Sequence, residues 1–309
     1  MYFFVNQKIR RRDIVTVSVK AYAKINLFLD IVSLREDNYH NILSLMQSVS
    51  LHDTIKLDYS ESENKKIEIF CDDTNIPCNE KNLAYKAADL ILEDGHLRIT
   101  ITKRIPSEAG LGGGSADAAA TLIGLNKILG DKYSTEELKA LGAKLGADVP
   151  FCIEGGACIV EGIGEKTAKC PPMPQYPIVI ALRGEGMSTP LAYKKLDERF
   201  GGFKSYSANQ EKLDVLVNGS DISIEQYCNC LFNIFETVVE PERPDVTYIK
   251  QIFSDCNATG AMMSGSGTSV FGIFKNEADA LIAVEKNKSC GTIAHICYPC
   301  DNSDAIIKE

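Results

Sequence analysis

A run of glycines leads directly into an alanine-rich segment at Pro106-Ser107-Glu108-Ala109-Gly110-Leu111-Gly112-Gly113-Gly114-Ser115-Ala116-Asp117-Ala118-Ala119-Ala120. Consecutive glycines lose backbone entropy on folding and add no packing, so they belong where the chain must come close to a ligand. A helix starting behind them offers unpaired N–H groups and the positive end of its dipole. Pro106 through Gly110, Leu111, Gly112, Gly113, Gly114 and Ser115 can therefore wrap an anion, with the Ser115 hydroxyl as one more donor. The natural occupant is a polyphosphate. The Gly-Lys-Ser/Thr ending of a P-loop is missing, and so is the strand–helix setting of a dinucleotide fingerprint. The competing structural explanation is a tight turn that caps the helix, although one glycine is enough for a cap. Asp117 is open to two readings, dipole compensation or proximity to a metal or hydroxyl.

Three other segments carry chemistry-bearing residues. In Ala21-Tyr22-Ala23-Lys24-Ile25-Asn26-Leu27, strand alternation puts Tyr22, Lys24 and Asn26 on one face. Lys24 is then either a solvent-facing lysine on a half-buried sheet or a point charge beside a transferring group. In Leu145-Gly146-Ala147-Asp148-Val149-Pro150-Phe151, the aspartate sits among apolar neighbours after a glycine. Such a residue is either an N-cap or a functional carboxylate. The turn Ser264-Gly265-Ser266-Gly267-Thr268 is a bend or a second set of backbone donors. If the four segments converge, they suit phosphoryl transfer, with Asp148 accepting an alcohol proton and Lys24 stabilising developing charge.

The elements that must position these residues read as mixed helix and strand. Ile14–Lys20, Lys24–Val32, Leu97–Thr102, Ala157–Glu161, Ile178–Leu182 and Ser269–Phe274 have strand character. Asn79–Leu92 and Ser115–Leu129 have helical spacing, and Ser134 with Glu137 forms a capping-box pattern opening a helix to about Leu145. Ile222–Val239 also reads as helical. The prolines at 171, 172, 174 and 177 mark a boundary, giving domains 1–168 and 169–309. A chain of 309 residues is long enough for two domains at about 150 residues each. Two α+β domains fit the order of elements better than an all-helical or all-β architecture.

Composition narrows the function classes. Forty-two acidic against 33 basic residues give a formal charge of −9, which disfavours nucleic-acid binding. No stretch reaches the roughly 18 apolar residues of a membrane span, and Met1–Val5 precedes its charges rather than following them as in a secretory signal. The expectation is a cytoplasmic protein with neither membrane nor nucleic acid as partner. Eleven cysteines, odd in number and dispersed, do not suggest a disulfide scaffold. Cys290, His295, Cys297 and Cys300 cluster near the end, but strand alternation separates Cys297 from Cys300. The reading is thiols and no metal site.

Together these segments resemble the superfamily of galactokinase, homoserine kinase, mevalonate kinase and phosphomevalonate kinase, in the expected order from about Val17 to Phe274. Within it, Lys24-Ile25-Asn26-Leu27 with Asp37-Asn38-Tyr39-His40 is similar to a branch that phosphorylates an alcohol bearing a cytidine diphosphate, on the non-mevalonate route to isoprenoid precursors. The resemblance implies an N-terminal domain like the second domain of ribosomal protein S5 and a ferredoxin-like C-terminal domain. It implies ATP on the Gly110–Ser115 loop, with Mg2+ accompanying it, and Lys24 and Asp148 as the catalytic pair. Asn26, Gly265, Ser266, Gly267 and Thr268 would face the acceptor. His40 would bond the cytosine edge, Tyr39 would stack on one face of the ring, and Tyr193 would approach from the other. A homoserine- or mevalonate-class kinase, and a non-catalytic binding member of the fold, are the alternatives. Met1–Ile14 departs from the pattern as a partly basic extension.

Overall fold

The backbone of the site is a long antiparallel hairpin, β1 (Val15–Leu34) and β2 (His40–Ser60). In this computed structural model the described residues are 14–184, 186–201, 209–218 and 222–307. The extension up to residue 13 lies outside them. The two strands expected at Ile14–Lys20 and Lys24–Val32 are one continuous strand. Its register shifts between Tyr22 and Ala23 and again between Asn26 and Phe28. These irregularities bracket Lys24-Ile25-Asn26, and a bulge re-aims the side chains beside it. β2 escaped sequence reading because Ser44, Gln47, Ser48 and Asp53, all polar, are buried and break its apolar alternation.

β3 (Lys66–Cys71), α1 (Leu83–Ile91), β4 (His96–Thr102), α2 (Gly113–Ile128), α3 (Thr135–Gly142), α4 (Val149–Glu154), β5 (Ala157–Gly162) and β6 (Lys166–Lys169) complete the first half. The far half of β2 pairs with β4, which pairs in parallel with β3. The near half of β2 pairs with β5, and β5 with β6. Helix α3 opens with the anticipated capping box between Ser134 and Glu137, but ends at Gly142 rather than near Leu145. Gly124 lets α2 lie close on the sheet, since a β-carbon there would fall 2.7 Å from Leu57.

The second half holds β7 (Ile178–Leu182), α5 (Thr189–Phe200), α6 (Gln210–Asn218), α7 (Ile224–Asn229), β8 (Phe232–Asn233), α8 (Glu236–Val239), α9 (Pro244–Asp255), β9 (Gly260–Met263), β10 (Val270–Ile273), α10 (Glu277–Ser289), β11 (Ile293–Cys297) and β12 (Ile306–Ile307). Its sheet runs β11-β7-β10-β9 and is antiparallel throughout. With α10 joining β10 to β11, this is the ferredoxin-like order. The helix expected over Ile222–Val239 is broken: β8 leaves it to pair with β1 at Phe28 and Leu29. The chain end also returns to the first sheet, where β12 pairs with β1 at Ser18 and Val19. Apolar cores fill the space between the first sheet and α1 and α2, and between the second sheet and α9 and α10.

Candidate active site

Lys24 leaves β1 pointing into a cleft rather than toward solvent, and the residue is only 4% exposed. Its Nζ donates to Asn26 Oδ1 at 2.7 Å. Asn26 Nδ2 in turn donates to Ser44 Oγ at 2.9 Å, and that hydroxyl donates to the Phe28 carbonyl at 2.6 Å. This relay fixes which end of the Asn26 amide faces the lysine. Asp148 occupies the N-cap position of α4, yet its side chain makes no capping hydrogen bond among the described residues. Its Oδ2 lies 3.9 Å from Lys24 Nζ, with the side chain 31% exposed. Asp148 thus holds the N-cap position without capping the helix, and its carboxylate lines the cleft.

The glycine loop closes over this pair. Lys24 N–H donates to the Leu111 carbonyl at 3.0 Å, so the loop docks on β1. Gly112 is the N-cap of α2, in the left-handed region at φ 71°, and has no side chain to satisfy the first turn. A β-carbon on it would lie 3.1 Å from Lys24 Cγ and 3.7 Å from Asp148 Oδ2. Gly113, Gly114 and Ser115 thus open α2 above the lysine–carboxylate pair, the setting that binds anions.

The second glycine turn meets the first from the other half of the chain. Ser264 Oγ donates to the Gly110 carbonyl at 3.1 Å, and Ser269 Oγ donates to the Ala109 carbonyl at 2.5 Å. Gly110, at φ 76°, tolerates no side chain, because its β-carbon would sit 2.1 Å from the Ser264 carbonyl oxygen. Asn233, buried on β8, donates to the Met263 and Gly265 carbonyls at 2.8 and 2.9 Å and so holds this turn. Ser266 Oγ pairs with Thr189 Oγ1 at the start of α5.

These parts surround a cavity of about 1090 Å³. Lys24, Asn26, Asp148, Pro106, Gly110–Ser115, Tyr39, His40, Tyr193, Gly265 and Ser266 all line it. Thr268 lies behind the turn, fully buried, and Gly267 packs over Met263. At the far end, His40 Nε2 pairs with Asp197 Oδ1 of α5 at 2.8 Å, and the His40 ring stacks on Tyr193 at 4.8 Å. Tyr193 meets Phe235 edge-on. Burial, and secondarily the Asp148 charge, pushes its phenol well above the ordinary value. Tyr39 stands 60% exposed at the rim. Tyr193 therefore already has an aromatic partner on one face, which the sequence did not suggest.

Several residues at the site escaped the sequence reading. Lys103 Nζ lies 2.5 Å from Asp53 Oδ2 and 2.9 Å from Asp117 Oδ2, beneath the first turns of α2. Asp117 meets neither expectation, dipole compensation or a metal or hydroxyl nearby, and instead pairs with the buried Lys103. Ser44, Asn233, Thr189 and Asp197 are single polar residues in otherwise ordinary segments, and no spacing marks them. The cysteine-rich tail is packed: Cys297 on β11 is buried, and burial pushes the Cys300 thiol up to about 12. Among the described residues no three His, Cys, Asp or Glu side chains gather as a metal site. No described helix is long and apolar enough to cross a membrane.

Residues 82–156 match the GHMP kinases N terminal domain, and residues 217–292 match GHMP kinases C terminal. The chain is 42% identical over 275 residues to 4-diphosphocytidyl-2-C-methyl-D-erythritol kinase of Caldicellulosiruptor saccharolyticus, covering 87% of this chain and 92% of the relative. It is 39% identical to the Clostridium tetani protein of the same name, covering 88% and 96%. A crystal structure of 4-(cytidine 5'-diphospho)-2C-methyl-D-erythritol kinase superposes with a TM-score of 0.73 at 29% identity, covering 92% of this chain and 99% of that one. Homoserine kinase from Cytophaga hutchinsonii shares the fold, with a TM-score of 0.72 at 19% identity over 99% of this chain and 100% of that one. The chain belongs to the GHMP kinases, in the family of the 4-diphosphocytidyl-2-C-methyl-D-erythritol kinases.

Proposed function

We propose that this chain transfers the γ-phosphoryl group of ATP to the 2-hydroxyl of 4-diphosphocytidyl-2-C-methyl-D-erythritol, a step in isoprenoid precursor synthesis. The observation that carries the reading is the Lys24–Asp148 pair lying directly under Gly112, where α2 begins. Amides of Gly112, Gly113, Gly114 and Ser115 hold the phosphates and compensate their charge. Asp148, open to the cleft, accepts the proton of the acceptor hydroxyl as the O–P bond forms. Lys24, held by Asn26, stabilises charge between the attacking oxygen and the transferred group.

Mg2+ accompanies ATP in this proposal. It keeps much of its coordination as phosphate and water and needs only one or two protein oxygens. The Ser115 hydroxyl on the cavity wall would supply such an oxygen. The ion would supply charge neutralisation on the phosphates. We assign ATP binding and the catalytic pair to residues 1–168, and completion of the acceptor cleft to residues 169–309. Tyr39, His40 and Tyr193 form the cytosine end, and Gly265 and Ser266 are the part of the second turn that faces the acceptor, with Gly267 and Thr268 packed behind them. The dispersed cysteines favour a cytoplasmic location.

The test is an ATP-dependent phosphorylation assay against alcohols with and without the cytidine diphosphate group. Only the cytidine-bearing acceptor should turn over efficiently; equal use of homoserine or mevalonate would refute the substrate. His40→Ala should raise KM for that acceptor about tenfold, since a hydrogen bond is worth roughly 0.5–1.5 kcal/mol. An unchanged KM would remove His40 from base recognition.

A further inference from the structure

We infer that Asn302, on the returning C-terminal segment, is a positioning residue for the Asp148 carboxylate. The inference rests on the proposed catalytic role of Asp148. Helix α4 has six residues, too few to be stable by itself, so its orientation must be imposed from outside. Asp148 at its start has no capping bond of its own among the described residues, and its direction follows the helix. At the other end, Asn302 Nδ2 donates to the carbonyls of Cys152 at 3.0 Å and Ile153 at 2.9 Å. These are last-turn acceptors that an isolated helix leaves unpaired.

The contact is built closely from both sides. Gly155 ends α4, and a β-carbon there would lie 2.4 Å from Asn302 Cγ. Asp301 Oδ1 accepts the Ser303 N–H at 2.8 Å, which turns the tail so that Asn302 faces the helix. On one side of this turn, Cys300 N–H donates to the Ser48 carbonyl on β2 at 3.0 Å, and Gln47 Nε2 donates to the Cys300 carbonyl at 3.1 Å. On the other side, Lys20 N–H of β1 donates to the Ala305 carbonyl at 2.7 Å. The tail thus straps the end of α4 to the two strands that carry Lys24 and Ser44. Through that strap, Asn302 sets how far the carboxylate stands from the lysine and from the acceptor hydroxyl.

The experiment uses the full chain as Asn302→Ala and as the near-isosteric Asn302→Asp, each also combined with Asp148→Asn. Kinetics with ATP and the cytidine-bearing acceptor are normalised to folded protein by circular dichroism and thermal melts. The expected result is a kcat roughly tenfold to hundredfold lower, the scale of a small misplacement at a reacting group, with both KM values nearly unchanged. In the Asp148→Asn background the same changes should lower kcat no further. If Asn302→Ala does not fold, the Asp variant, which keeps the volume and loses the donor, carries the test. Wild-type kcat in a folded Asn302 variant overturns the inference, whatever its melting temperature, as does an equal loss in the Asp148→Asn background. If Asp148→Asn alone retains full kcat, the catalytic reading fails, and this inference falls with it. A slow Asp148→Asn beside a fast Asn302→Ala removes the inference alone.

Discussion

Lys103 and Lys24 both reach the opening of α2, each beside an aspartate, and their surroundings differ sharply. Lys103 sits between Asp53 and Asp117, with all three side chains at most 8% exposed. Asp53 Oδ1 also accepts the Arg104 and Ile105 N–H groups, at 2.5 and 2.8 Å. Burial opposes the charge on Lys103, but the two carboxylates outweigh it and hold its pKa above the ordinary value. Lys24 instead spends its closest contact on a neutral amide and stays 3.9 Å from a carboxylate that is partly open to solvent. An acid such as Asp53, with both oxygens taken by Lys103 and two backbone N–H groups, can brace the entry to a loop. One left partly unfilled can accept a proton from a substrate. The difference between scaffold and chemistry here lies in satisfaction, not in residue type.

The comparison breaks most visibly with paired substitutions. Asp148→Asn should lower kcat on the order of 10²–10⁴-fold while leaving the melting temperature near wild type. Equal turnover would show that the open carboxylate is not the base. Asp53→Asn should do the reverse, costing about 1.5–3 kcal/mol of stability by leaving the buried lysine with one carboxylate partner instead of two and weakening its hold on the loop. Chemical denaturation measures that loss, and an unchanged unfolding midpoint would mean that the buried group braces nothing.

The smallest effect concerns pH. Burial, aided by the Asp53 charge and opposed by Lys103, pushes the Asp117 carboxyl up to about 7, and its Oδ1 has no partner among the described residues. The folded state then holds this proton more tightly than the unfolded chain does. Its contribution is full below the ordinary carboxylate range and is lost as pH rises through about 7. Asp117→Asn should therefore flatten the decline in melting temperature between acidic and neutral pH. A slope identical to wild type would place the proton elsewhere.

The glycine loop, Lys24 and Asp148 were legible in the sequence because each is an odd residue for its setting: glycines before a helix, a cation in an apolar strand, an acid between hydrophobes. Their convergence was not legible, because it depends on β1 bending at two irregularities that no local pattern announces. Lys103 at a strand end looks like any surface lysine, and its two acids come from positions 50 and 14 residues away. Ser44, Asn233 and Asn302 act through one or two hydrogen bonds across long sequence separations. Helix α2 was readable from its alanines, whereas β2 was hidden by the polar residues it buries.

The bonds from Ser264 and Ser269 to the carbonyls of Gly110 and Ala109 fasten the two halves together at the phosphate end of the cleft. A clasp there leaves the molecule little freedom to gape at that end. An incoming alcohol would instead find the cavity open at the rim, where Tyr39 stands exposed.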